Sequence, residues 1–335
     1  MNLSALANKK ILITGGTGSV GTALVERILE LQPQVRQIII FSRDEQKQFS
    51  MAHRWPSKHY PVRYLLGDVR DRERVMTVMK GCDLVIHSAA MKHVPAAEDN
   101  PQECIKTNLI GSQNIIDAAL FHQVERVVAL STDKAAQPIN AYGASKLLLE
   151  KLFVHANLID DESNTRFSVV RFGNVFGSKG SVIPFFLKQR EQGFLPITDA
   201  GMTRFSITMR QAVDMVLFTL IESWGGEIVL PVAPSYRITD VATAIAPNAE
   251  QRIVGIRPGE KLHELMFTTH DAPRVVRQGN YYIICPEVGC WQLNDYCQTT
   301  NAESIPLQQN YDSGENSQWM DIAAIQQLLH EEVMM

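Results

Sequence analysis

A glycine-rich turn near the start of the chain constrains the fold more than any other stretch. In "KKILITGGTGSVGTALVERILEL", a short β-rich run leads into Gly15, Gly18 and Gly21, with apolar residues at helical spacing from Val20 to Leu31. Glycines at this spacing let the backbone turn tightly, approach a pyrophosphate and present helix N-terminal amides to it. The stretch therefore predicts the opening of a βαβ unit that binds a nucleotide.

Strand and helix patterns then alternate as far as residue 175. Five further β-rich runs are "RQIIIFSRDEQ", "VRYLLGDVRD", "CDLVIHSAA", "VERVVALSTD" and "TRFSVVRFGNV". Helical stretches such as "RERVMTVMKG", "NLIGSQNIIDAALFH" and "ASKLLLEKLFVHA" separate them. This alternation predicts an α/β protein with a doubly wound parallel sheet of the Rossmann type, which binds ligands at the carboxyl ends of its strands.

The pattern loosens after residue 175, where prolines punctuate shorter elements. We predict a cofactor-binding Rossmann domain over residues 1–175, to which later segments return, and a smaller region over residues 176–280 that binds the substrate and its nucleotide. Residues 281–335 form a polar, poorly periodic tail before a last short helix.

Composition narrows the functional classes. The net charge is −4 without a long basic run, so we expect no nucleic-acid partner. No apolar stretch reaches about 18 residues, so we expect a cytoplasmic protein without a membrane span. The five cysteines include no CxxC pair, which favours free thiols over disulfides and predicts no metal site.

The turn after the second strand discriminates between the two nicotinamide dinucleotides. An acidic residue there would accept a hydrogen bond from a ribose 2′-hydroxyl, whereas a guanidinium would pair with a 2′-phosphate. Ser42 and Arg43 occupy the place of the acid in "FSRDEQK", and Lys47 adds positive charge. We therefore predict NADP, while Asp44 keeps NAD open as the alternative.

Other strand ends complete the predicted cofactor site. Asp68 and Val69 in "GDV" are expected to edge the adenine, although Asp68 could instead cap the next helix. Lys92 is expected near the cofactor or the substrate. The remaining predicted cofactor contacts lie in the glycine turn or just after strands: Thr17, Ser19, Val20, Ala89, Ala90, Ser131 and Val175.

The stretch "STDKAAQPINAYGASK" carries the candidate chemistry. Tyr142 and Lys146 are four residues apart and share a helix face, where an ammonium beside a phenol favours the phenolate and so makes a base. A solvated helix face would show the same spacing. Thr132, Asp133 and Lys134 follow a strand end and are expected to project into the same cleft, or else to form a capped strand-to-helix turn.

From Lys10 to Leu265 the chain resembles the extended short-chain dehydrogenases/reductases through "TGGTGSVG", "HSAA" and "YGASK". Within them it is most similar to the UDP-N-acetylglucosamine 4,6-dehydratases that invert C5, the first enzymes of pseudaminic acid biosynthesis. The similarity lies in "FSRDEQKQ", "MKHVPAAEDNP", "ECIKTNLIGSQN", "STDKAAQPINAYGASK", "RFGNVFGSKGSVIPFF" and "GIRPGEKLHELM". Met91 stands where that family usually has leucine.

The resemblance implies a reaction with NADP bound and regenerated in every turnover. Tyr142, assisted by Lys146, would take the C4 hydroxyl proton as C4 is oxidised, which makes the C5 proton acidic. Lys134 would then abstract the C5 proton and Asp133 would protonate the departing C6 hydroxyl, before hydride returns to C6. The C5-retaining enzymes resemble Asp-Glu at this place, so Asp-Lys indicates the inverting branch.

The resemblance also implies a UDP-N-acetylglucosamine site and a homo-oligomer, either a dimer or a larger assembly such as a hexamer. Arginines suit a pyrophosphate because their geometry is bidentate, although Arg204 and Arg257 would also fit surface salt bridges. The substrate contacts implied are Lys92, Asn174, Ser178, Gly180, Ser181, Val182, Pro184, Thr198, Arg204, Arg257 and Glu260.

Three other functions stay open from the residues. A nucleotide-sugar 4-epimerase shares the glycine turn and the Tyr142–Lys146 pair but needs no second acid and base, and a C5-retaining dehydratase differs in stereochemistry. An NADP-binding scaffold without activity would be expected to have lost Tyr142 or Lys146. His87 and His93 are expected to be packed or hydrogen-bonded residues rather than catalysts.

Overall fold

The chain folds around a large, mostly parallel sheet. The computed structural model describes residues 3–31, 34–160, 163–178, 180–289, 291–305 and 309–332. The strands are β1 (Lys10–Thr14), β2 (Gln37–Ser42), β3 (Val62–Leu66), β4 (Leu84–His87), β5 (Arg126–Thr132), β6 (Arg166–Phe172), β7 (Asn174–Val175), β8 (Phe194–Ile197), β9 (Thr203–Ile207), β10 (Ile228–Pro231), β11 (Ser235–Arg237), β12 (Glu250–Ile253), β13 (Leu265–Phe267), β14 (Val275–Gln278), β15 (Tyr281–Ile284), β16 (Glu303–Ser304) and β17 (Tyr311–Asp312).

Helices connect and cover these strands. They are α1 (Ser19–Leu31), α2 (Glu45–Arg54), α3 (Arg72–Met79), α4 (Val94–Asp99), α5 (Pro101–Ile105), α6 (Gly111–Phe121), α7 (Ala141–Ala156), α8 (Val182–Gln189), α9 (Met209–Glu222), α10 (Ile238–Ile245), α11 (Leu293–Thr300) and α12 (Ile322–Glu332). A π-helical turn, Lys106–Ile110, joins α5 to α6, and 3₁₀ turns form at Leu3–Leu6, Asp133–Ala135, Arg190–Gln192 and Ala272–Arg274.

The strand order confirms the predicted doubly wound sheet. Among the described residues the main sheet runs β16-β14-β15-β10-β6-β5-β4-β1-β2-β3. All pairings from β10 through β3 are parallel, and the six β-rich runs of the sequence form β1 to β6. The order reverses at β1, so β1 and β4 diverge at their carboxyl ends and leave a crevice there.

Both faces of the sheet are buried, which explains the continuous apolar runs of its strands. Ile11 and Ile13 of β1 join a core built with α1 and α9, while Leu12 between them joins a second core built with α6 and α7. Successive side chains of a strand point to opposite faces, so one strand supplies both cores. The sheet is thereby fixed between two helical layers, and its strand ends hold a defined position.

A smaller assembly covers the carboxyl ends of the parallel strands. β7, β9 and β11 form one small sheet, and β8 pairs with β12 in another. A third apolar core, which includes Phe186 of α8, Val241 of α10 and Leu329 of α12, supports them. Residues from the predicted substrate region therefore face the crevice of the main sheet.

The segments after residue 230 contribute to both assemblies. β15, β14 and β16 continue the main sheet in antiparallel fashion, and β17 pairs with β13. The predicted last helix is α12, and the tail before it contains β15, α11, β16 and β17. The domain boundaries at 175 and 280 stay a prediction. Strands from beyond both boundaries complete the main sheet.

Candidate active site

The glycine turn forms a cradle between β1 and α1. Gly15 adopts φ +64°, and a Cβ placed there would lie 2.8 Å from the backbone nitrogen and Cα of Ala89. A Cβ on Gly21 would lie 2.5 Å from Gly16. Helix α1 begins at Ser19, beside the cleft, so its first backbone amides are available to an anion. The cradle therefore fits a pyrophosphate, as the sequence predicts.

The turn after β2 commits its acidic residue to a structural role. Asp44 is the N-cap of α2: it accepts a hydrogen bond from the Lys47 amide at 2.9 Å and pairs with the Lys47 ammonium at 2.7 Å. The Lys47 contacts lower the pKa of Asp44. The Arg43 side chain, by contrast, is 62% exposed and lines the cleft.

Asp68 is held by arginines. Arg70 donates to it from its backbone amide at 3.0 Å and from its guanidinium at 2.6 Å, and Arg43 lies 3.5 Å away. The N-cap of α3 is Asp71, whose side chain accepts from the Arg74 amide. The alternative interpretation of Asp68 as the helix cap is therefore wrong, and Asp68 remains at the cleft wall beside Val69.

Tyr142 and Lys146 lie on the first turns of α7, which begins here because the Asn140 side chain caps it by accepting from the Gly143 amide at 2.7 Å. Burial raises the pKa of Tyr142 to about 12, and Lys134 is the cation that opposes this rise. The sequence predicted Lys146 for that effect. Lys146 instead donates to the Leu130 carbonyl at 2.7 Å, and burial lowers its pKa to about 8.

Lys134 lies between two buried carboxylates. Its Nζ is 3.1 Å from Asp133 Oδ1 and 3.0 Å from Glu264 Oε1. Burial by itself would lower the pKa of Lys134, but Asp133 and Glu264 outweigh it and raise that pKa. The 3₁₀ turn at this position is capped by Thr132 rather than Asp133, because the Thr132 hydroxyl accepts from the Lys134 amide. Asp133 is therefore free of a capping role.

Glu264 is the functional candidate that sequence reasoning missed. It stands in the quoted stretch "GIRPGEKLHELM", but 130 positions from Lys134. The only sequence feature that could have pointed to Glu264 is its position as an acidic residue directly before a β-rich run, at the end of a family motif. Only the fold reveals its partner, because the segment before β13 crosses the carboxyl end of β5.

The two candidate arginines of the substrate region differ in environment. Arg204, on β9, is 8% exposed; it donates to the Thr203 carbonyl at 2.7 Å and lies 3.8 Å from Glu264. The surface salt-bridge interpretation of Arg204 is thus wrong. Arg257 is 62% exposed and lies 3.7 Å from Glu260, as a surface ion pair would, although both line the cleft.

One cleft of about 2140 Å³ collects all the predicted site residues. Small-molecule pockets usually measure about 300–1,000 Å³, so this cleft has room for more than one ligand. The members not yet placed also line it: Thr17, Gly18, Val20, Ser42, Ala90, Lys92, Ser131, Val175, Ser178, Gly180, Val182, Pro184 and Thr198. Their individual roles stay predictions.

Several buried polar atoms at this cleft have no hydrogen-bond partner within the described chain: Asp133 Oδ2, Asn174 Oδ1, Ser181 Oγ and Glu264 Oε2. Buried polar groups are nearly always paired, so a cluster of unpaired ones calls for an explanation. All four residues line the cleft, and two of them, Asn174 and Ser181, are predicted substrate contacts. The cluster is typical of a surface that hydrogen-bonds a polar ligand.

The two histidines lie differently. His87 is fully buried, with its ring nitrogens 2.8 Å from the Thr14 hydroxyl and 3.1 Å from the Ser112 hydroxyl, and burial lowers its pKa to about 3. It is a packed residue, as predicted. His93 is exposed and lines the cleft opposite Gly180, where an added Cβ would lie 3.0 Å from the ring.

The described residues contain no cluster of three or more His, Cys, Asp or Glu side chains arranged to hold a metal ion. Within the same ranges, no helix has the length and apolar character needed to cross a membrane. Cys82, Cys104, Cys285 and Cys297 are free thiols, and Cys290 lies outside the described residues.

The family model described as "Polysaccharide biosynthesis protein" matches residues 11–286. The UDP-N-acetylglucosamine 4,6-dehydratase (inverting) of Campylobacter jejuni subsp. jejuni serotype O:23/36 (strain 81-176) is 49% identical over 317 residues, which cover 93% of this chain and 94% of that one.

A second relative carries a different activity in its name. The UDP-glucose 4-epimerase of Rickettsia bellii (strain RML369-C) is 40% identical over 284 residues, 83% of each chain. Among solved structures, Pen from Bacillus thuringiensis superposes with a TM-score of 0.89 at 32% identity, covering 98% of this chain and 99% of that one.

Proposed function

We propose, since this chain belongs to the polysaccharide biosynthesis protein family, that it dehydrates UDP-N-acetylglucosamine to a UDP-4-keto-6-deoxy-N-acetylhexosamine with inversion at C5. One observation carries the proposal. The acid–base pair Asp133–Lys134 lies in the same cleft as Tyr142 and Lys146. An enzyme that only oxidises and reduces C4 has no use for a second acid and base.

The chain's own residues divide the chemistry between them. NADP, when bound, accepts the C4 hydride and later supplies it to C6. Tyr142 takes the proton of the C4 hydroxyl, and Lys146 holds the ribose on the same helix face. Lys134 removes the C5 proton once C4 is a ketone, and Asp133 protonates the departing C6 hydroxyl.

The cofactor preference follows from the turn after β2. The Asp44 carboxylate already serves α2 and Lys47, so a ribose 2′-hydroxyl would compete with those contacts. Arg43 retains an exposed guanidinium at the cleft, which favours the 2′-phosphate of NADP. The glycine cradle fits the pyrophosphate of either dinucleotide.

A nucleotide-sugar 4-epimerase is the second candidate, favoured by the 40% identity to a protein named as one. It leaves the ammonium of Lys134, which lies between two buried carboxylates, without a function. Burying two carboxylates side by side is costly unless they serve a purpose. The dehydratase explains that cluster and the epimerase does not.

Incubation of the purified protein with UDP-N-acetylglucosamine, followed by NMR assignment of the product, tests the proposal. We expect a 4-keto-6-deoxy sugar with inverted C5, and a substrate deuterated at C4 should deliver its label to C6 without added cofactor. UDP-N-acetylgalactosamine as the product would establish the epimerase. A product with retained C5 would exclude the inverting reaction.

The product is proposed to enter pseudaminic acid or a related surface sugar, as in flagellin glycosylation. We further propose that the chain works in the cytoplasm as a homo-oligomer. Light scattering after size-exclusion chromatography should give a mass of at least two chains of 37.6 kDa. A monomer at working concentration would contradict the oligomer without affecting the reaction.

A further inference from the structure

The Glu264 backbone is fixed by the C-terminal part of the chain. Its amide donates to the Ser313 hydroxyl at 2.9 Å, and its carbonyl accepts from the Ser313 amide at 2.9 Å. Ser313 is fully buried and also lies 2.7 Å from the Thr203 hydroxyl. The segment just after β17 thus holds Glu264 on both sides at the cleft wall.

The Glu264 side chain has one oxygen engaged and one open. Oε1 lies 3.0 Å from Lys134 Nζ and 3.8 Å from Arg204 Nε, while Oε2 is buried without a partner among the described residues. Asp133 Oδ1 lies 3.1 Å from the same ammonium, and Asp133 Oδ2 likewise has no partner in the described part of the chain. The chain therefore supplies two carboxylates to one amine, although a single acid suffices to protonate a leaving hydroxyl.

Several charged or titratable groups face Lys134 and set its proton affinity. Two carboxylates raise that affinity, and cations together with neutral phenols surround them. They come from five segments of the chain: Asp133, Glu264, Arg204, Lys261, Tyr142 and Tyr236.

We propose that Glu264 is a positioning residue for the elimination step, holding the Lys134 amine toward the substrate and stabilising the ammonium that forms there. The inference rests on the proposed dehydratase function. Before elimination, Lys134 is neutral and Asp133 carries a proton. The C5 proton then moves to Lys134 Nζ, the C5–C6 double bond forms, and the C6 hydroxyl leaves as water with the proton of Asp133.

Glu264, the second carboxylate, has a separate task in this scheme. Asp133 changes its charge during the step, from carboxylic acid to carboxylate, so it cannot stabilise the developing ammonium from the start. Glu264 gives no proton to the substrate in this scheme, so its negative charge 3.0 Å from the amine stays the same through the step. In this scheme elimination leaves an ammonium between two carboxylates, the arrangement that the two ion pairs of the structure have, and transfer of the proton from Lys134 to Asp133 restores the starting state.

The test compares the reactivity and the pH dependence of Lys134 in Glu264→Gln and in the unaltered protein. Removing one charge-assisted contact should lower the Lys134 pKa by about 1–2 pH units. Acylation of Lys134 by an N-hydroxysuccinimide ester at pH 8, followed by peptide mass mapping, should therefore speed up about tenfold or more. Glu264→Asp keeps the charge and should stay within about threefold of the unaltered protein.

Turnover gives an independent readout. In Glu264→Gln the rising limb of kcat against pH should move toward acid by about 1–2 units, and the plateau should fall roughly 3- to 10-fold because the base is weaker. Deuterium at C5 should slow turnover and so report the elimination step. Ser313→Ala, which loosens the Glu264 backbone, should shift both readouts in the same direction by less.

The control is Glu250→Gln, the same chemical change at an exposed position of β12, which should leave labelling and the pH profile unchanged. The proposal would be overturned if Glu264→Gln left both the rate of Lys134 labelling and the rising limb of kcat against pH unchanged. A purely structural role for Glu264 predicts this result, together with a loss of activity at every pH. If the unaltered protein made no dehydrated product, the proposed function would fail, and the labelling experiment would still decide whether Glu264 controls the proton affinity of Lys134.

Discussion

Lys134 and Lys146 belong to one short segment of the chain, yet their amines lie in opposite electrostatic environments. Lys146, in the half of the cleft assigned to oxidation, donates to the Leu130 carbonyl, and burial lowers its pKa to about 8. Lys134, in the half assigned to elimination, lies between Asp133 and Glu264, which raise its pKa despite burial. Burial alone therefore does not decide the charge of a lysine here.

The difference in pKa between the two lysines depends on whether the nearby carboxylates are already paired with another cation. Glu150 lies one helical turn from Lys146, but its two oxygens bind Arg171 at 2.8 and 2.5 Å, so it offsets only part of the burial effect. Among the described residues, Asp133 accepts a hydrogen bond from the neutral Thr132 hydroxyl at 2.8 Å, and the only arginine near Glu264 is Arg204 at 3.8 Å. Two lysines with different proton affinities suit the two roles proposed for them, cofactor binding and proton transfer.

Replacing Tyr142 should have the largest effect, because we propose that Tyr142 serves both hydride steps. We expect Tyr142→Phe to lower kcat by about 10⁴-fold, the upper end for loss of one general base. A single turnover, followed by the absorbance of the reduced nicotinamide, should show no oxidation at all. Tyr60→Phe, at an exposed tyrosine outside the cleft, should be neutral. Cofactor reduction by Tyr142→Phe would mean that the oxidation half has another base.

Replacing Lys134 should stop the elimination step and leave the oxidation of C4 intact. Lys134→Ala should lower kcat by roughly 10²–10³-fold while still oxidising C4, so a 4-keto sugar and reduced nicotinamide accumulate in a single turnover. The matched control is Lys151→Ala, on the exposed face of α7. If the variant bound both ligands but gave no reduced nicotinamide, Lys134 would belong to oxidation. Solvent deuterium entering C5 at the normal rate would require a different base.

Removing the charge of Lys146 should stabilise the fold. Its folded pKa of about 8 lies below the ordinary 10.5, so its protonated form opposes folding below pH 8, and this penalty disappears as the pH rises from 8 to 10.5. Lys146→Met should therefore raise the free energy of unfolding by about 2 kcal/mol at pH 7, after the lost Leu130 hydrogen bond is allowed for.

Urea unfolding at pH 7 and pH 10 measures this effect. The gain from Lys146→Met should shrink toward zero or reverse at pH 10, and Lys151→Met on the same helix should show no such pH dependence. A gain of equal size at both pH values would attribute it to packing, and the contrast between the two lysines would lose its electrostatic basis.

Removing Arg43 should have the smallest effect. Arg43→Ala should weaken NADP binding by about 1.5 kcal/mol, the lower end for a hydrogen bond to a charged group because the side chain is mostly exposed, and should leave NAD binding nearly unchanged. Calorimetric titration with each dinucleotide gives both values. Arg63→Ala, exposed on β3, is the control. Equal losses for NADP and NAD would exclude a contact to the 2′-phosphate.

The sequence predicted most of the fold and of the cleft through patterns that are local. The glycine spacing, the six β-rich runs and the four-residue spacing of Tyr142 and Lys146 each lie within one element or one turn. From the sequence, Asp44 is an argument for NAD. In the structure Asp44 caps α2 and pairs with Lys47. A cap and a ribose contact use the same residue type after a strand, so sequence could not separate them.

What the sequence alone determined is the parallel sheet, the position of its nucleotide cradle and the segment that carries Tyr142, Lys146, Asp133 and Lys134, because hydrophobic periodicity and turn chemistry act between near neighbours. The charge state of those residues was decided by the tertiary structure. Glu264 reaches Lys134 only after the segment before β13 is held across the strand ends by Ser313. Electrostatic interactions depend on distance in space and on burial, and neither is set by separation along the chain.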